Sequence, residues 1–417
     1  MGKLSDIVEK IRSRVFPAVA GEGEVVRVLF WTTTFQADNL ALVRHLCTRR
    51  DFRVVVVTEN RAALDTEPVH ILLPLPCEIW DRGDLLLEAK VRWFAPHVTV
   101  VDNHFPKRRY SKKLFVLWHG FGWKGPNDMA EFSEVHKAIR RLTGIPGTEP
   151  NPYFRWQCFG PGDLDHRNRV SGFARENVVS LGSAFTDDLL NVKIPVSEMR
   201  KFYPENFAGK KIALVACTWH YGRMFAHWGD DVQILQEILE LLRSLNFVMI
   251  LRLHDRRRFE PAYLDQLERF AAANPEVYLK FKDVDRDNML DILVSDVMIS
   301  NFSSILNYFY ATFRPSIHVY PVASAEESFL WRTWKGGKVR TTAVENAKYV
   351  WKFPPEDNGG LLVRSLAELK AALVLADEDP ACCAEKSAEF IRNRMAPVDG
   401  KTCSRIAAEL LSLARTR

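Results

Sequence analysis

The chain has 417 residues, 57 Lys+Arg against 52 Asp+Glu for a formal net charge of +5, and 47% hydrophobic residues. This is globular composition, too weakly basic to make nucleic acid the main partner, and no apolar run reaches the ~18–20 residues that span a bilayer. Seven scattered cysteines without a CxxC pair make neither a disulfide framework nor a zinc site, and the N-terminus lacks the apolar core of a secretory signal, so the chain is expected in the cytoplasm.

Residues 1–21 form a prelude in which Leu4, Ile7, Val8, Ile11, Val15 and Phe16 recur at helical spacing among Lys3, Lys10, Arg12 and Arg14. Such a stripe is expected to pack on its own domain, with contact to a membrane surface as the alternative. From residue 25 the pattern predicts strands over 25–31, 53–57, 70–73, 97–101, 114–118 and 178–181, with a helix over 36–49. A polar stretch, 196–210, contains Pro204 and Gly209 and reads as a hinge. The alternation restarts after it: strands over 211–217, 247–253, 277–281, 296–300 and 316–320, and helices over 230–244, 261–273, 286–293 and 303–313. Strands alternating with helices imply parallel, doubly wound sheets. The expected fold class is therefore α/β, with two Rossmann-like domains, 22–205 and 206–395, a cleft between them, and a closing segment 396–417. Ligands of such sheets bind beyond the carboxyl ends of the strands, where the candidate residues are to be sought.

Three segments meet that condition. In Trp118-His119-Gly120-Phe121-Gly122-Trp123-Lys124 a strand runs into a histidine flanked by glycines, suited to proton removal near neutral pH and to close approach by a ligand. The basic run before it, Lys107-Arg108-Arg109 with Lys112-Lys113, reads first as a solvated loop and second as a hold for lipid headgroups or an anionic acceptor. In Arg252-Leu253-His254, Arg252 and His254 share a face if the strand continues and together could grip a diphosphate, whereas Arg256–Arg258 read as surface charge. In Ser300-Asn301-Phe302-Ser303-Ser304 a strand gives way to a helix whose N-cap is expected at Ser303, a place for phosphate. The Walker-type GxxxxGK[ST], HExxH and GxSxG are absent from the sequence, which argues against an ordinary NTPase, a zincin and a serine hydrolase.

Taken in order, WHG (118–120), Gly182-x-x-x-x-Asp187, Thr218-Trp219, Arg252-Leu253-His254, the serine-ended stretch 295–304 and Asp399-Gly400-Lys401 followed by Arg405-Ile406 resemble the CDP-glycerol glycerophosphotransferases, the teichoic-acid-polymerase-like enzymes of bacterial cell-wall and capsule synthesis. The resemblance runs from about residue 25 to the C-terminus. It implies a GT-B fold with the last helix returning to the first domain, and transfer of a polyol phosphate from a CDP-activated donor to a hydroxyl of a membrane-bound or glycan acceptor, with release of CMP. Carried over, it implies catalytic roles for His119 and His254 and substrate-binding roles for Gly120, Lys124, Asp187, Thr218, Arg252, Asn301, Ser303 and Ser304. No metal and no resident cofactor is expected, since the CDP-polyol is a substrate, and the implied place is the inner face of the cell membrane. This chain departs from the family at Phe121-Gly122-Trp123, at Asn301-Phe302 and through 323–330. The departures keep two other readings open, a nucleotide-sugar glycosyltransferase and a non-catalytic glycan-binding member.

Overall fold

The computed structural model describes residues 20–417 except 34, 60, 103, 118–121, 124–128, 218–223, 226–227, 257–258, 302, 321–328, 336–337 and 345–351, with the backbone alone at 63, 131, 329–335 and 338–344. The amphipathic stripe of the N-terminus, His119, Gly120, Lys124 and Thr218 lie outside the described residues. The chain divides into two compact units: Met1–His119 with Pro126–Asn191 and Arg394–Arg417, and Gly120–Gly125 with Val192–Asn393.

The first unit is built on strands β1 (Val26–Trp31), β2 (Phe52–Thr58), β3 (Glu78–Asp81), β4 (Val98–Val101), β5 (Leu114–Val116), β6 (Phe154–Cys158) and β7 (Val178–Ser180), in the order β3-β2-β1-β4-β5-β6-β7. Every pairing in this sheet is parallel. Runs such as Val54–Val57 are buried on both faces, as a sheet covered by helices requires. The order reverses between β1 and β4, which makes their carboxyl ends the switch point of the sheet.

The second unit repeats the plan with β8 (Lys211–Val215), β9 (Phe247–Leu253), β10 (Val277–Phe281), β11 (Val297–Ser300), β12 (Ser316–Val319) and β15 (Leu361–Val363), in the order β10-β9-β8-β11-β12-β15. All these pairings are parallel too, and the switch point lies between β8 and β11. Between β12 and β15 stands an antiparallel hairpin, β13 (Phe329–Lys335) with β14 (Lys338–Val344). Periodicity missed it; the available signal was Gly336-Gly337 between two runs rich in β-branched and aromatic residues.

Of residues 70–73, expected as a strand, 70–72 instead belong to the short helix Pro68–Leu72 and Leu73 caps it. Pro68 occupies its first turn, where a missing N–H costs nothing. Strands β3 and β6 were missed because Glu78, Asp81, Arg155 and Gln157 break their apolar patterns; Gln157 nevertheless is fully buried, its amide donating to the Gly182 carbonyl. The polar stretch 196–210 belongs to the second unit and is pinned there, with Tyr203 and Phe207 buried and the Tyr203 hydroxyl donating to Asp291 at 2.6 Å.

The C-terminal helix Thr402–Arg415 is part of the first unit, where Ile406, Leu410 and Leu413 are buried. Its start is held by Asp187, whose two carboxylate oxygens accept the N–H groups of Thr402 (3.0 Å) and Cys403 (2.7 Å). Gly182 has a φ of +95°, and a Cβ there would lie 3.1 Å from Thr402 Oγ1, so glycine is needed twice over. Asp399 accepts both Nη1 contacts of Arg405 at 2.9 Å, while Arg405 Nε donates to the Leu181 carbonyl at 3.2 Å. The Gly182…Asp187 and Asp399…Ile406 motifs are thus two halves of one clamp.

Candidate functional site

In the second unit, β9 carries Arg252 and delivers His254 at its carboxyl end. The two part company there. Arg252 is buried, with Nη1 2.7 Å from Asp291 Oδ2 and Nη2 donating to the carbonyls of Asp285 (2.8 Å) and Arg286 (3.1 Å). Lys280 Nζ reaches Asp291 Oδ1 at 2.9 Å. Burial pushes the Asp291 carboxyl up, but Lys280 and Arg252 bring it below the usual carboxylate range, while burial and Asp291 drive the Tyr203 phenol well up. The guanidinium of Arg252, expected to bind donor phosphate, thus stands in an internal ion cluster, because a buried carboxylate must be paired.

His254 stays accessible, with its side chain 26% exposed. Its Nδ1 lies 2.9 Å from the Asp255 backbone nitrogen and 3.3 Å from the Asp255 carboxylate. Arg256 is exposed and pairs with Glu268 at 3.1 Å, as a surface charge should.

The carboxyl ends of β8 and β11 meet at the switch point. Ser300 Oγ donates to the Ala216 carbonyl at 2.5 Å, tying the two strand ends together. Cys217 follows β8, and burial followed by the nearby Asp231 pushes its thiol up. Asp231 receives the returning chain, accepting the N–H groups of Met224 (2.7 Å) and Phe225 (3.1 Å). Asn301 is 1% exposed and its amide donates to the Met224 carbonyl at 2.7 Å. The Asn301 amide, expected to bind substrate, thus braces the loop after β8.

Ser303 and Ser304 are half-buried, and among the described residues neither hydroxyl makes a hydrogen bond. The helix that follows, Ile305–Tyr310, is shorter than expected, and the residue ahead of it is Ser304 rather than Ser303, in αR geometry and without a side-chain cap. The pair is therefore not used for capping.

Asp187, the third of these residues expected to bind substrate, is tied to the last helix. Only 5% exposed, it anchors the C-terminal helix, a job suited to a carboxylate because helix N-termini carry partial positive charge.

In the chain, His119 follows β5, the neighbour of β4; the last described residue before it, Leu117, donates its N–H to the Val101 carbonyl at 2.8 Å. Beyond the glycine-flanked stretch, Trp123 is a fully buried member of the second unit, stacked on Phe390 (5.4 Å between centroids) and edge-on to His318 (5.1 Å). Of the basic run, Lys107, Arg108 and Arg109 are exposed, but Lys113 is 2% exposed. Its ammonium donates to the Ala414 carbonyl at the end of the last helix, and burial brings its pKa down to about 8. Among the described residues no cluster of three or more metal-ligating side chains occurs.

Sequence reasoning also missed a pair at the first unit's switch point, Asp102 and His104, whose carboxylate and imidazole lie 3.5 Å apart. Nothing in the local pattern marks them; their place becomes visible only once β1 and β4 are known to be neighbours.

No family model matches the chain, and no curated protein matches it by sequence. Several solved structures share its fold. The wall teichoic acid polymerase TagF aligns at 14% identity over 98% of this chain and 94% of that chain, with a TM-score of 0.65. UDP-GlcNAc 2-epimerase from Neisseria meningitidis, bound to UDP-GlcNAc, aligns at 15% identity over 92% and 99%, with a TM-score of 0.53. A glycosyltransferase from Rickettsia africae aligns at 11% over 93% and 98%, with a TM-score of 0.50. The two parallel sheets of 7 and 6 strands are those of a two-domain GT-B α/β fold.

Proposed function

We propose that the protein is a transferase that moves a polyol phosphate from a CDP-activated donor to a hydroxyl of a membrane-bound or glycan acceptor in cell-wall or capsule polymer synthesis. The observation that carries this reading is the second unit's switch point. There the Ser303 and Ser304 hydroxyls are unclaimed beside β11, and the accessible imidazole of His254 ends β9, two strands away in the sheet order. Phosphoryl transfer asks a protein chiefly to position its groups and to stabilise charge on phosphate oxygens, which hydroxyl and imidazole donors can do.

In this reading the acceptor oxygen attacks the polyol-bearing phosphorus, the bond from that phosphorus to the CMP oxygen breaks, and CMP leaves. His119 takes the acceptor proton, His254 donates to the phosphate, and Gly120, Lys124 and Thr218 line the substrate. The anionic membrane face is the proposed place of work. Leu85, Leu86 and Trp93 stand exposed at 99%, 64% and 78%, close in sequence to Lys90 and Arg92, a mixture that suits an interface of lipid headgroups. No helix among the described residues is long and apolar enough to cross a membrane.

The test is nucleotide analysis of reactions containing CDP-glycerol or CDP-ribitol and a hydroxyl acceptor. CMP is the expected product; release of a nucleoside diphosphate from a nucleotide sugar instead, with no CMP, would establish the glycosyltransferase reading. The double variant Ser303→Ala/Ser304→Ala should weaken CDP-polyol binding about 10- to 100-fold per lost charge-assisted hydrogen bond, while shifting stability by no more than about 0.5 kcal/mol. Acceptor held in anionic vesicles should react faster than in neutral ones, an advantage that high salt removes.

A further inference from the structure

The first unit has its own switch point, and its residues differ in kind from those at β8 and β11. Asp102 follows β4 directly and is 1% exposed. Its Oδ2 accepts the Thr33 N–H at 3.0 Å, from the chain leaving β1, and its Oδ1 accepts the His104 N–H at 2.8 Å. Burial pushes this carboxyl up, and His104 together with the two N–H groups brings it below its ordinary value. The His104 ring is 53% exposed and turns Nδ1 toward Asp102 Oδ1 at 3.5 Å. A carboxylate facing Nδ1 keeps the proton there, leaving the Nε2 lone pair available; among the described residues Nε2 makes no hydrogen bond.

We propose that His104, oriented by Asp102, is a hydroxyl-binding subsite of the first unit, accepting through Nε2 a hydrogen bond from a neutral polyol or sugar. The charge around it selects that class. Glu59 follows β2 and engages Arg82 Nη1, while Arg82 Nη2 donates to the Thr32 carbonyl at 2.6 Å and its guanidinium lies 4.8 Å from the Trp31 ring centroid. Arg82 is thus spent on a carboxylate and a carbonyl, and Asp102 would repel a phosphate. An uncharged hydroxyl is repelled by neither.

The subsite rests on the transferase reading only where its ligand is identified as the acceptor, and the two can fail separately. The probe is ribitol, titrated into the full chain while the histidine rings are followed by nitrogen–proton NMR, with the His104 signals assigned by their loss in His104→Gln. The expected result is an Nδ1–H ring for His104 whose signals move with ribitol, and an Asp102→Asn variant that mixes the tautomers. In turnover, His104→Gln should raise KM for ribitol about tenfold, the equivalent of one hydrogen bond, with the Kd for CDP-glycerol unchanged. An Nε2–H ring, or a ribitol response that is the same in His104→Gln, overturns the subsite. CMP release with an unaltered ribitol KM in that variant overturns it too, while leaving the transferase standing. Ribitol-dependent His104 shifts without CMP from any CDP-polyol do the reverse.

Discussion

The two units lay their sheets down in matching order, so strand ends can be compared place by place. After the fourth strand of the first unit come Asp102 and His104; after its counterpart β11 come Asn301, Ser303 and Ser304. After β2 comes Glu59, and after β9 comes His254. One scaffold therefore presents carboxylates with an imidazole in the first unit, and hydroxyls with an imidazole in the second. The difference teaches what each place can hold: bringing a phosphate beside carboxylates is costly, whereas hydroxyl and imidazole donors welcome it. Topology offers the place, and the side chains at the strand ends decide the charge of the guest.

The sharpest way to test that contrast is to separate the second unit's guest-facing groups from its scaffold. Arg252→Met leaves Asp291 buried with Lys280 as its remaining cationic partner, and breaking a buried pair by removing one member costs about 3–5 kcal/mol. Urea unfolding should therefore show a large loss of stability; a stable variant that merely fails to bind CDP-polyol would return Arg252 to the site. Next in size is Asp187→Ala. Loss of the two bonds to the last helix should cost about 2 kcal/mol, read in the same way, and CDP-polyol affinity measured under native conditions should hold.

A further effect is one of pH. Burial, then Arg44, brings the His70 pKa down to about 4, and the ring stacks on Phe35 at 6.0 Å. The folded value lies below the ordinary one of 6.5, so the unfolded chain binds the extra proton first. Stability is accordingly present above pH 6.5 and falls as pH drops toward 4. His70→Phe should flatten that part of the curve, seen as a smaller decrease in the urea midpoint between pH 7 and 4.5.

Alternation of apolar runs with helical segments made the parallel sheets legible, because strands covered on both faces must be apolar almost throughout. What stayed hidden were facts of distance. Asp187 and Thr402 lie 215 residues apart, and Arg252 and Asp291 lie 39 apart. Motif order marks such residues as special but cannot distinguish a carboxylate that grips a helix from one that grips a ligand. Ser303 and Ser304 were legible as a pair because one serine suffices for a cap, although the structure uses neither side chain for that purpose. Asp102 and His104 were invisible, since spatial neighbourhood between β1 and β4 is not written in either strand.

The last helix has a bearing on how the protein is made. The first unit contains residues up to 191 and then nothing more until 394. On a ribosome its sheet must therefore wait, with the seats of Ile406, Leu410 and Leu413 open, while the whole of the other unit is translated. Val192–Asn393 has most of what it needs beforehand, since it borrows only the short stretch around Trp123 from earlier in the chain. The half synthesised second is thus positioned to mature first, and the interval before the final two dozen residues emerge is when this polypeptide most needs a chaperone.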